Sequence, residues 1–190
     1  MMVKTKTMTM KHAQLSIKTQ VWATVVAIAA AVVFPQMLHT IGAISGLGTS
    51  LGETFLPMHL PIILVGFLAG PYAGAISGLL GPLASFALSG MPTSTMLPFI
   101  MIELAVYGLA SGLLRRVQIP TLGKVVIAQI AGRLVRSVAI LFAVYALGSE
   151  SIRVSIIWMS IKTGLPGLIM QWVLLPFLVF LVDKRRKNEQ

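Results

Sequence analysis

The chain has 190 residues, 56% of them hydrophobic and only 11% charged, with a mean hydropathy of +0.90. That is too little charge to clothe a soluble globule of this size. The formal charge of +10 gathers at the ends of apolar segments, a membrane topology signal rather than a nucleic-acid site, and the lack of cysteine excludes disulfides and thiolate metal or redox centres.

A hydrocarbon-spanning helix takes about 20 residues, so the chain has room for roughly six or seven spans. The expectation is an all-α integral membrane bundle of six transmembrane helices, forming one domain over residues 1–190. No room remains for a catalytic or ATP-binding domain. Residues 1–18 form a basic segment with Lys4, Lys6, Lys11 and Lys18, and the first apolar run covers 21–38. Ala29, Ala30 and Ala31 imitate the small-residue end of a secretory signal, but further apolar segments follow at once, which favours a mature span.

Residues 40–52 are uncharged and rich in Gly and Ser, a composition suited to a lid. The second span, 53–69, carries Pro57 and Pro61, so its outer end should be kinked or irregular. Gly70-Pro71 turns the chain into a third span at 72–88, where Gly74, Gly78 and Gly81 recur at helical spacing. Gly74-Ala-Ile-Ser-Gly78 is a small-xxx-small motif that favours close helix packing. The fourth span, 96–114, ends in Arg115-Arg116; the fifth covers 121–147 and the sixth 155–182, before a basic tail at 183–190. Basic residues then lie at the N-terminus, in the 115–124 loop and in the C-terminal tail, against Arg153 alone in the opposite loops. Both termini are therefore expected to be cytoplasmic. No internal repeat stands out, which weakens a carrier built from inverted halves.

Glu103, Arg133, Arg136 and Lys162 fall within the apolar spans. Charge at that depth is costly unless paired or wet, so it marks a pathway or a binding site. At about 1.5 Å per residue, Glu103 and Lys162 lie roughly 10 Å below the outer ends of their helices, Arg136 roughly 16 Å and Arg133 roughly 20 Å. Pairing Glu103 with Lys162 or Arg136 leaves positive charge over, which a substrate carboxylate or phosphate would complete. Arg133 either lines this cavity or braces helices. Tyr107 lies one turn from Glu103, Gln129 one turn from Arg133, and Trp158 and Gln171 sit on the sixth span, where such amphipathic groups orient a small ligand. His39, His59 and Glu53 lack metal-ligand spacing, so no metal is expected. Ala23, Ala27 and Ala31 make a small-residue stripe, open to internal packing or to a partner helix.

That alanine stripe, the runs Phe55-Leu-Pro-Met-His-Leu-Pro61 and Gly66-Phe-Leu-Ala-Gly-Pro71, and Met96-Leu-Pro-Phe-Ile-Met-Ile-Glu-Leu-Ala-Val-Tyr-Gly108 together resemble a known family. It is that of the substrate-binding S components of energy-coupling factor (ECF) vitamin transporters. The resemblance implies a vitamin pocket near the outer face, gated by the loop after the first helix, in a bacterial-type plasma membrane. It implies no enzyme activity and no cofactor. The implied partners are a transmembrane scaffold (T) subunit and two ATP-binding subunits, with Ala23, Ala27 and Ala31 as the docking face. Carried onto this chain, the substrate-binding set is Glu103, Tyr107, Arg133, Arg136, Trp158 and Lys162. Surplus positive charge favours pantothenate; a B6 vitamer, hydroxymethylpyrimidine, folate and cobalamin remain alternatives. A small ion-coupled carrier or channel, using the four charges as a relay, is the reading from a different class. A membrane-embedded enzyme lacks any nucleophile–base or paired-carboxylate set at close spacing.

Overall fold

The computed structural model describes residues 15–188. Seven helices occur among them: α1 (Ile17–Ile44), α2 (Ser50–Phe55), α3 (His59–Ala69), α4 (Pro71–Ser89), α5 (Leu97–Leu114), α6 (Thr121–Tyr145) and α7 (Ser155–Asn188). Six segments are long and apolar enough to cross a membrane, with α2 and α3 together making one of them. The all-helical six-span architecture is therefore the one expected. Lys4, Lys6 and Lys11 of the basic N-terminal segment lie outside the described residues.

The second span breaks where its prolines foretold. Pro57 has no N–H to continue a helix and disfavours right-handed α geometry in the residue before it. Leu56 accordingly takes a left-handed conformation, φ 49° and ψ 52°. The segment at 40–52 is more regular than its glycine content suggests. With no proline or charge to stop it, α1 runs on to Ile44, and the amides of Leu47 and Gly48 return to the Gly42 carbonyl at 2.8 and 3.0 Å. Gly46 and Gly48 hold the positive φ values that this turn needs, and α2 starts at Ser50. At the other end of the chain α7 continues through the basic tail to Asn188.

Helix α5 is the hub, packed against α3, α4 and α6. Its seam with α4 is built from glycine. A Cβ at Gly74 would fall on the Gly108 backbone, one at Gly78 on Leu104, and one at Gly112 on Pro71. Spacings of four residues on α5 and of three and four on α4 keep these pairs in register, so backbones meet where hydrocarbon solvent provides no hydrophobic drive. Gly66 of α3 joins the same seam against Ser111 and Gly108.

The alanine stripe faces inward. Ala31 is fully buried beside Gly81 and Ile62, and Ala27 is buried with Val65, Ala69 and Ala73, while Ala23 is half-buried at the edge of that cluster. Internal packing thus uses the small side chains of Ala27 and Ala31, which offer no open face for a partner here. The outer face of α1 is instead Trp22, Val26, Val33 and Met37.

The seam makes a direct prediction. Gly108→Val should lower stability by at least about 1–3 kcal/mol through overpacking against α4. Gly123→Ala, where a Cβ meets only Ile119 at 3.9 Å, should be neutral or stabilising by up to about 1 kcal/mol. Thermal unfolding of the two purified variants in the same detergent checks the contrast.

Candidate functional site

Helices α5 and α6 meet across a buried ion cluster. Glu103 is fully buried on α5. Its Oε2 accepts a hydrogen bond from Arg136 Nη1 at 2.7 Å, and its Oε1 lies 3.1 Å from Arg133 Nε. Tyr107, one turn along α5, donates its hydroxyl to the same Oε1 at 2.8 Å. Spacing of three residues places both arginines on one face of α6, and Gly132 leaves the space that the Tyr107 ring fills.

A polar chain continues deeper between α6 and α7. Trp172 Nε1 donates to Gln129 Oε1 at 2.6 Å, Gln129 Nε2 donates to Gln171 Oε1 at 3.0 Å, and Gln171 Nε2 reaches the Leu56 carbonyl at 3.3 Å. Arg133 Nη1 contacts Ser160 Oγ at 3.4 Å. The broken second span closes the arrangement: Leu56 packs over Gly164 beside Arg133, and the Thr54–Phe55 backbone lies on Gly167.

Of the expected site residues, Glu103, Tyr107, Arg133 and Arg136 come together. Lys162 and Trp158 do not. Both project from an exposed stripe of α7, with Trp158 at 68% exposure. Inward positions on this helix are Ser160, Gly164, Gly167 and Gln171, and Lys162 lies roughly 200° around from both Ser160 and Gly164. Arg133, rather than Lys162, is therefore the second cation on Glu103. Trp172 and Ser160 were missed in the sequence, although their phase with Gln171 and Gly164 was a usable signal. His59 was weighed there only as a metal ligand; its ring packs on Tyr107, with centroids 5.2 Å apart. Among the described residues no three of His, Asp and Glu gather into a possible metal site. A groove of about 410 Å³ at the C-terminal end of α7, bordered by Leu178, Leu181, Lys184 and Arg185, lies along that one helix and away from the cluster.

Two guanidiniums against one carboxylate leave one net positive charge inside the bundle. Arg133 Nη2 and Arg136 Nε are buried with no hydrogen-bond partner, and Arg133 Nε, though close to Glu103, is not aligned for one. Burying a cation without a full set of acceptors is costly.

The family of ECF transporter substrate-specific components matches residues 14–179. The chain belongs to that family. No curated protein and no solved structure matches it. This is a substrate-specific, multi-pass membrane subunit of a transporter, and S components of such transporters partner with T and ATP-binding subunits.

The charge balance predicts a strong asymmetry between variants. Glu103→Gln leaves two buried guanidiniums without a counter-ion and should cost about 3–5 kcal/mol in the ligand-free S component. Adding Arg136→Gln to that variant should recover part of the loss. Unfolding midpoints of the single and double variants in detergent provide the check.

Proposed function

We propose that this S component captures a water-soluble vitamin bearing a carboxylate, pantothenate first among them, from outside a bacterial-type plasma membrane. Its T subunit and two ATP-binding subunits then drive uptake. The observation that carries this reading is the uncompensated positive charge around Glu103, with guanidinium nitrogens of Arg133 and Arg136 buried and unpartnered. A guanidinium offers paired donors in one plane, the geometry that a carboxylate accepts. Substrate carboxylate beside Arg133 and Arg136 would bring the cluster to neutrality.

The amide chain of Gln129 and Gln171, with Trp172, supports the rest of the assignment. Such groups supply donors and acceptors for a ligand's own amide and hydroxyl functions while the surrounding wall stays apolar. Pantothenate carries all three kinds of group on one flexible chain. The tight turn at 45–49, the short α2 and the break at Leu56 form the outer cover under which it would bind.

Isothermal titration of the purified S component against pantothenate, B6 vitamers, hydroxymethylpyrimidine, folate and cobalamin tests the reading. The expected result is one-to-one binding of pantothenate that weakens about 10- to 100-fold in Arg133→Met, the loss typical of hydrogen bonds to a charged group. That variant keeps the Glu103–Arg136 pair balanced and should fold. Lys162→Ala should bind as the unaltered protein does. Preference for a neutral vitamin, indifferent to Arg133→Met, would overturn the anion assignment, and ion flux through the isolated chain would favour an ion-coupled carrier.

A further inference from the structure

His59 opens α3 directly after the Leu56 break, and its side chain is more than nine-tenths buried at 6% exposure. Neither Nδ1 nor Nε2 has a hydrogen-bond partner. The Leu56 carbonyl lies near the ring but out of alignment with it, and that oxygen already accepts from the His59 amide at 3.1 Å and from Gln171 at 3.3 Å. Tyr107 covers one part of the ring, and Glu103, Arg133 and Arg136 are its charged neighbours. Tyr107 itself is committed to Glu103.

A histidine kept only for packing would be a poor choice. Buried polar atoms are normally paired, and leaving one unpaired costs the full desolvation of that group. Phenylalanine would fill the space against Tyr107 without that cost. The orphaned nitrogens on His59 stand in one neighbourhood with the orphaned nitrogens on Arg133 and Arg136. Neutral imidazole offers one donor and one acceptor, whereas the guanidiniums offer donors alone. A metal ion does not fit as the missing partner, because it would enter a field with two guanidiniums against one carboxylate. A molecule that has acceptor oxygens at one end and a hydroxyl further along can pair with the guanidinium nitrogens and with one of the two ring nitrogens.

We propose that His59 is a specificity residue of the pocket, pairing with a hydroxyl of an anionic hydroxy-compound whose carboxylate sits on Arg133 and Arg136. The inference rests on the anion reading and adds to it a second recognition point. It separates hydroxylated carboxylates from plain ones, since the site is built to hydrogen-bond a hydroxyl and loses that partner when the hydroxyl is missing.

The test is isothermal titration of the full-length S component, unaltered and as His59→Phe and His59→Gln, with pantothenate and with its analogue lacking the hydroxyl beside the amide carbonyl. Pantothenate should bind His59→Phe about 10- to 100-fold more weakly, and His59→Gln should recover part of the loss. The deoxy analogue should bind the unaltered protein more weakly than pantothenate does, yet match pantothenate on His59→Phe. The melting temperature of ligand-free His59→Phe should equal or exceed that of the unaltered protein, which removes misfolding as the cause. If pantothenate binds in an Arg133-dependent way but His59→Phe binds it equally well, His59 is filled by water or serves packing alone, and this inference falls while the anion reading stands. If the unaltered protein does not bind pantothenate, both fall together.

Discussion

A carboxylate held between two guanidiniums inside a bilayer protein is the constraint from which much of this bundle follows. Glu103 cannot stay ionised at that depth without close partners, because isolated charge there costs several kcal/mol. Arg133 and Arg136 meet the need, but only if α6 turns one face fully towards α5 and approaches closely. Gly132 allows the approach by giving up its side chain to the Tyr107 ring, and Tyr107 in turn caps Glu103 with its hydroxyl. Four residues on two helices therefore determine each other's positions.

The other side of α5 has to be equally fixed for this to work. Leu104, Gly108 and Gly112 lie against the α4 backbone at Gly78, Gly74 and Pro71, so α5 is clamped along one side while Glu103 and Tyr107 are presented on the other. Lipid tails are as apolar as leucine, so this clamp depends on close van der Waals contact. A stripe of glycines thus places a charged site that it never touches. The alanines of α1 do similar work one layer out, against Gly81 and Ala73.

Much of this was legible in the chain, and the failures share one physical origin. Span number, the Pro57 break and the Gly74–Gly78 seam all depend on local rules of length, proline chemistry and helical period. Which partners Glu103 takes depends on the rotational phase of α7 against α6. Lys162 sits at a depth like that of Glu103 but on the wrong side of its helix; Arg133 is deeper yet in phase with Arg136. Facing direction was not available from charge alone. The alanine stripe shows the same gap, since small residues at a four-residue period suit an inner and an outer helix neighbour equally. For 40–52, glycine content suggested freedom, whereas the chain uses two of those glycines to close a tight turn on Gly42.

The break in the second span connects these parts. Once Pro57 stops the helix, the Leu56 carbonyl accepts from the His59 amide at the start of α3 and from Gln171 of α7. That bond joins the outer cover to the amide chain of Gln129 and Trp172, and the Leu56 side chain shares the space above Gly164 with Arg133. The orphaned ring of His59 begins the next helix three residues on. Ion cluster, amide chain and cover thus converge on one irregular stretch of backbone, 55–59. Backbone irregular at membrane depth is tolerated only where it is buried in protein or lines a wet cavity. Here its carbonyl at Leu56 meets the amide chain beside the cations, so the same proline that disrupts the helix helps give the bundle a polar interior.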